Sequence, residues 1–152
     1  MRILLPTLLL LSLFSCEKGL TDEQQLEADI KKIQEYLADH NLTAQSTVSG
    51  LHYIITTEGS GGHPSISSTV TVRYVGKLLK NEKVFDQTNG NDTATFPLNK
   101  VIEGWQIGIP LLQKGGKGTF FIPSALGYGP YGSGSTIPAN APLIFEVELV
   151  NF

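Results

Sequence analysis

The side chains able to make or break covalent bonds are few in this chain. His40, His52 and His63 have no serine or cysteine beside them that they could activate, and Cys16 has no base beside it. Nucleophilic catalysis needs a nucleophile within reach of a base, so a hydrolase finds no support. His52 and His63 lack the accompanying Cys/His cluster of a metal site, and no metal is expected. What the sequence holds instead is a run of rings: Tyr74, Phe85, Phe96, Trp105, Tyr128 and Phe145. Asp86 follows Phe85, and Val101, Ile102 and Ile137 lie among the rings. From pattern alone Phe85, Phe96, Phe145, Val101 and Ile102 read as core, and so does Trp105, the only tryptophan. Asp86, ahead of Gln87-Thr88-Asn89-Gly90, reads as the start of a turn. Tyr128 is harder to explain as packing, because its glycine neighbours give it little to pack on.

The elements that carry these residues are mostly strands. A length of 152 residues suggests one domain with appendages, and a hydrophobic content of 41% is enough for a packed core. Sixteen glycines and eight prolines favour turns over long helices. The net charge of −3 comes without any Lys/Arg cluster, so nucleic-acid binding by counterion release has no footprint. One cysteine excludes an internal disulfide. Leu51 to Thr57 is rich in β-formers and is broken by Gly59 to Pro64. Thr69 to Val75 alternates, with Val70, Val72 and Tyr74 on one face. Lys80-Asn81-Glu82 makes a turn before Val84 and Phe85, and Gly118 to Pro123 is a further strand. In the last strand, Leu143 to Phe152, the residues Leu143, Phe145, Val147 and Leu149 face away from Glu146 and Glu148. One short helix, Val101 to Ile109, carries Trp105 and is expected to stop at Pro110. The expected fold is α+β, an antiparallel β-sheet wrapped around one short helix. The order of the strands does not follow from this reasoning.

Upstream of that domain the chain reads as an address and a spacer. Residues 1–15 have the form of a lipoprotein signal peptide: Arg2 supplies the positive end, and Ile3 to Phe14 form an apolar run too short to span a bilayer. Leu13-Phe14-Ser15-Cys16 resembles a lipobox, in which cleavage precedes the cysteine and the Cys16 thiol is lipidated. An ordinary signal peptide cut after Ser15, with Cys16 incidental, is the alternative. The expected location is extracytoplasmic, lipid-anchored to a bacterial membrane: the outer membrane, at its periplasmic face or the surface. Residues 16–44 form the anchor, a helix over 21–41 and a polar linker, and 45–152 the main domain. Thr21 and Gln24 make a capping box, and Asn41 suits the position past the helix end. Leu26, Ile30, Ile33 and Leu37 form a single stripe that needs a partner. The chain's own sheet, solvent around a bare spacer, and a second copy in a homodimer are the three readings.

Residues from about 50 to 152 resemble the FKBP-type peptidyl-prolyl cis-trans isomerase domain along its whole length. The likeness is carried in order by Val70 to Leu78, Val84-Phe85-Asp86, Val101 to Trp105, Gly127-Tyr128-Gly129, Thr136-Ile137-Pro138 and Leu143 to Leu149. The resemblance implies cis/trans isomerisation of X-Pro bonds in exported, proline-containing polypeptides, with no metal and no cofactor. Rotation about such a bond faces a barrier of about 18–20 kcal/mol, and a site need only favour the twisted amide over the planar one. The twisted form is less charge-separated, so a dry aromatic slot favours it. The resemblance also implies roles. Tyr74, Phe85, Asp86 and Tyr128 are its catalytic residues, and Phe96, Val101, Ile102, Trp105, Ile137 and Phe145 bind substrate. Trp105 is then the floor under the proline ring, and Tyr74, Phe85, Phe96 and Phe145 are the walls, with Val101 and Ile102 beside them. The Ile102 N–H and Tyr128 hydroxyl donate to substrate carbonyls, Asp86 accepts from the Tyr74 hydroxyl, and Ile137 closes the rim. The sequence departs from the family pattern in that Gln87 to Thr95 contains no Arg or Lys to pair with Asp86. Ala94 also stands where a further aromatic is common. A non-catalytic chaperone or peptide-binding module on the same fold differs from the isomerase by turnover alone.

Overall fold

The computed structural model describes residues 19–152. The expected signal peptide, the lipobox and Cys16 lie outside the described residues. The first element is helix α1, Asp22–Asp39. Its start has the reciprocal bonds foreseen from sequence: the Gln24 N–H donates to Thr21 Oγ1 and the Thr21 N–H to Gln24 Oε1, at 3.2 and 3.0 Å. Its end is closed by Asn41 at φ 54°, whose N–H donates to Ala38 O while the Leu42 N–H donates to Leu37 O. That double closure satisfies two carbonyls the helix leaves open.

Seven strands follow: β1 (Gln45–Ser46), β2 (His52–Thr57), β3 (Thr69–Leu78), β4 (Val84–Gln87), β5 (Ala94–Pro97), β6 (Lys117–Ile122) and β7 (Leu143–Asn151). Helix α2, Glu103–Gly108, lies between β5 and β6. The sheet is antiparallel, in the order β1-β2-β6-β7-β3-β4, with β5 pairing the first half of β3 on the side where β4 pairs the second. Two strands were not foreseen. β1 lies in the polar stretch at the start of the expected main domain, held by pairing to His52 and Tyr53, and β5 is too short for periodicity to reveal. The helix is also shorter than expected. Val101 and Ile102 are extended, and Pro110 sits in a 3-10 turn, Ile109–Leu111, that continues the helix. A proline in the first turn removes no needed donor.

The sheet curls around α2. Val70, Val72, Phe120, Ile122, Leu143, Phe145, Val147 and Leu149 enclose Trp105 and Ile109 in one buried cluster. Helix and strand come close enough that a Cβ on Gly104 would lie 2.6 Å from Ile122 Cγ2, so only glycine fits there. Residues between those of the first cluster point to the opposite face. There Phe121, Ile144 and Leu79 meet Ile33 and Leu37 of α1 in a second cluster. The hydrophobic stripe of α1 thus has its partner within the chain, and the sheet carries a helix on each face. Asp29, fully buried in α1, accepts from the N–H and hydroxyl of Ser124, at the start of the 3-10 turn Ser124–Leu126.

Candidate functional site

β3 is the strand on which the site is built. Tyr74 lies opposite Val147 and Gly76 opposite Phe145 on β7, while on the other side Gly76 faces Asp86 of β4 and Val70 faces Phe96 of β5. This register delivers rings from β3, β4, β5 and β7 to the face of the sheet that α2 covers. Tyr74, Phe96 and Phe145 stand at 83°, 79° and 82° to the indole of Trp105, with ring centroids 5.1, 5.8 and 5.3 Å away. Phe85 meets Phe145 edge to face at 5.5 Å. Such pairs contribute about 0.5–1.5 kcal/mol each beyond the area they bury, so the walls brace one another. Trp105 is 4% exposed, and its Nε1 is buried without a hydrogen-bond partner among the described residues.

The polar groups sit above these rings. The Tyr74 hydroxyl donates to Asp86 Oδ2 at 2.6 Å, which fixes the ring. Burial raises the Tyr74 hydroxyl well above its ordinary range, and the bond to Asp86 and its charge add to this. The Tyr128 hydroxyl is raised by burial first and then by the charge of Asp86, and among the described residues it has no partner. Both hydroxyls are therefore protonated donors at neutral pH. Asp86 takes part in no ion pair among the described residues, in keeping with the missing basic residue between Gln87 and Thr95. Ile102 precedes the first turn of α2, where its carbonyl accepts from the Trp105 and Gln106 N–H groups. Its own N–H is unengaged among the described residues.

The structure brings the expected site residues together. Tyr74, Phe85, Phe96, Val101, Ile102, Tyr128 and Phe145 all pack in or against the cluster that contains Trp105, and Asp86 joins through Tyr74. Ile137, expected at the rim, is 5% exposed and lies in the cluster itself, held by paired backbone bonds to Ser133. Two contributors were not singled out from sequence. A Cβ on Gly76 would lie 2.7 Å from Phe145 and 2.8 Å from Phe85, so this glycine makes room for both rings. A glycine inside a β-branched strand is a legible signal of such an approach. Gln106 Nε2 donates to Val101 O at 2.8 Å and pins the segment before α2, for which the sequence offers no signal. The histidines are dispersed, with His52 on Gly50 O and His63 on Pro110 O, and the described residues contain no group of three metal-type ligands. No described helix is long and apolar enough to cross a membrane. A cavity of about 830 Å³ lies away from the rings, between α1, the β3–β4 turn and residues 138–142.

With this geometry in place, known proteins give a consistent match. The family model for FKBP-type peptidyl-prolyl cis-trans isomerases matches residues 61–150. An FKBP-type isomerase named FkpA from Aeromonas hydrophila is 43% identical over 135 residues, 88% of this chain and 50% of that protein. The outer membrane protein MIP of Legionella longbeachae is 40% identical over 104 residues, 68% of this chain and 44% of that protein. The crystal structure of a peptidyl-prolyl cis-trans isomerase from Pseudomonas syringae superposes with a TM-score of 0.71 at 31% identity, covering 88% of this chain and 97% of the other. The chain spans about half, or less, of the length of the curated relatives it matches.

Proposed function

The chain belongs to the FKBP-type peptidyl-prolyl cis-trans isomerase family, and from that premise we propose that it accelerates the isomerisation of X-Pro bonds in exported polypeptides. The observation that carries this reading is Trp105 with three rings standing on it at nearly right angles. A proline ring fits an apolar slot of this kind, with Trp105 below it and Tyr74, Phe85, Phe96 and Phe145 at its sides. Val101 and Ile102 continue the wall, and Ile137 backs it from within. Leaving water costs the planar amide more than the twisted one, so the slot lowers the barrier without touching a covalent bond. The Tyr128 hydroxyl and the Ile102 N–H, which have no partner among the described residues, are the donors for the substrate carbonyls. Asp86 keeps Tyr74 in place through its hydrogen bond. The set requires no metal and no cofactor.

The test is a protease-coupled isomerisation assay on residues 17–152, with and without the protein. A folded protein that leaves the rate at its uncatalysed value leaves only the reading as a binding module or chaperone. Substrates with a large apolar residue before proline should turn over fastest, since the slot is apolar on that side.

For location, the apolar N-terminal run ending at Cys16 and the relative named an outer membrane protein support a lipid anchor at Cys16 outside the cytoplasm. Changing Cys16 to Ala should release the protein from membranes or leave it unprocessed; unchanged fractionation refutes the anchor. A homodimer through α1 has less support, because Ile33 and Leu37 are buried on the chain's own sheet.

A further inference from the structure

Helix α1 reads in the sequence as an appendage, yet it holds the one buried carboxylate among the described residues. Asp29 Oδ2 accepts from the Ser124 N–H at 2.9 Å and from the Ser124 hydroxyl, across 95 positions of sequence. Asp29 Oδ1 accepts from Gln25 Nε2 at 2.8 Å and Lys32 Nζ at 3.2 Å, both from α1 itself. Ser124 is 1% exposed, so neither of its donors can turn to water. It opens a tight turn: the Gly127 N–H donates to Ser124 O and the Leu126 N–H to Pro123 O, both at 3.0 Å. Leu126 is buried in the cluster on the α2 side. Tyr128 is the next residue after Gly127, and its far side is tied by the Asn140 N–H donating to Gly129 O at 2.9 Å. An unbroken path of hydrogen bonds and one short turn therefore runs from the α1 face of the sheet to the free hydroxyl at the site. Without an acceptor at position 29, two buried donors on Ser124 go unpaired, and the turn must shift to recover them.

We propose that Asp29 is a positioning residue: by gripping Ser124 from α1, it sets where the Tyr128 hydroxyl stands over the aromatic slot. It acts through the turn and touches no substrate. The proposal rests on the isomerase reading above and makes α1 part of the working domain.

A double-mutant cycle in the full chain tests it. Asp29→Ala should lower kcat/KM by up to about tenfold, the range of one lost hydrogen bond, and match Tyr128→Phe. In the Tyr128→Phe background it should cost nothing further, because its effect passes through that hydroxyl. Asp29→Asn, whose amide oxygen can still accept from Ser124, should recover part of the rate. Ser124→Ala removes one donor alone and should show the same coupling at smaller size, which covers the case in which Asp29→Ala does not fold. Losses that multiply in the double variant, or a folded Asp29→Ala with wild-type kinetics, overturn the proposal. Amide hydrogen exchange separates it from the function it rests on. Asp29→Ala, or Ser124→Ala where the former does not fold, should speed exchange at Gly127, and unchanged exchange overturns the tether whatever the turnover. Absence of turnover in the wild type refutes the isomerase reading, and the exchange result then decides the tether alone.

Discussion

Beneath α1, the buried carboxylate of Asp29 accepts from four donors. On the opposite face of the same sheet, Trp105 Nε1 is buried, and among the described residues neither it nor the Tyr128 hydroxyl nor the Ile102 N–H has a partner. Buried polar groups are ordinarily paired, so the two faces follow different rules. The α1 face is a joint between elements, where any unpaired group is a pure loss. On the α2 face, under the proposed function, the unpaired donors and upright rings would serve a substrate that brings carbonyls and an apolar ring. Departures from local satisfaction gather where function is carried out.

The contrast can be broken by substitution, and the largest effect should come from the joint. Phe121, 1% exposed beneath α1 and beside Tyr36, should cost about 3–5 kcal/mol when changed to Ala. Isomerase activity measured well below the lowered melting temperature should stay near that of the wild type. Phe85→Ala should show the reverse, a modest loss of stability with kcat/KM lowered by more than about tenfold. Chemical denaturation together with kinetics on both variants checks the pair; equal ratios of stability loss to activity loss would erase the distinction between the faces. Next in size is Gly76→Ala, whose new methyl meets Phe85 and Phe145. Overpacking of this kind costs about 1–3 kcal/mol, and because both rings belong to the slot, activity should fall along with the melting temperature. Tyr128→Phe should be milder, about 0.5–1.5 kcal/mol of barrier, with melting unchanged.

The smallest effect is on pH dependence. Tyr36, Tyr74 and Tyr128 are all raised from an ordinary value of 10.0, each chiefly by burial. A raised group is more easily deprotonated in the unfolded chain, so its contribution to stability is complete below about pH 10. It is lost as pH climbs from there through the folded values. Melting temperature should therefore be insensitive to these groups between pH 6 and 9 and decline above pH 10. Tyr74→Phe should reduce the alkaline decline, and an unaltered slope would show that this hydroxyl is not the source. Activity should likewise vary little between pH 6 and 8.

Short-range signals placed Tyr74 and Phe145 on the inward faces of their strands, but pattern alone read most of the rings as core, and their reading as a slot came from the family resemblance. The alternation of Val70, Val72 and Tyr74 and of Leu143, Phe145 and Val147 follows a two-residue period that burial imposes directly. The capping box at Thr21 and Gln24 and the left-handed Asn41 are equally local, and both ends of α1 were legible to within about two residues. The docking of α1 was legible only as one reading among three, the chain's own sheet, which the structure bears out. A stripe of Leu26, Ile30, Ile33 and Leu37 states that a partner is needed but not which one, and Phe121 and Ile144 look like ordinary strand residues until the second face is known to be covered. Asp29 was invisible for a related reason. Among the charges of α1 it reads as solvated, and its acceptor role exists only because Ser124 arrives from far along the chain. β5 and the late start of α2 were missed because four residues carry too little periodicity, and because the extended backbone at Val101 and Ile102 is imposed by neighbours.

The strand order of the sheet has a consequence for any extended polypeptide that visits it. One edge is β1, two residues long, and the stretch of β2 beyond it carries a register shift between Ile55 and Thr57. The other edge is divided between β4 and β5, four residues each, with a second shift at Gly76 and Lys77 and a proline at the end of β5. Long, flat, unpaired edges invite strand addition and aggregation, and short or irregular ones deny the template. An extended polypeptide is therefore offered little backbone to zip onto at either edge. Under the proposed function it would be held at a proline and let go, without being recruited as an eighth strand.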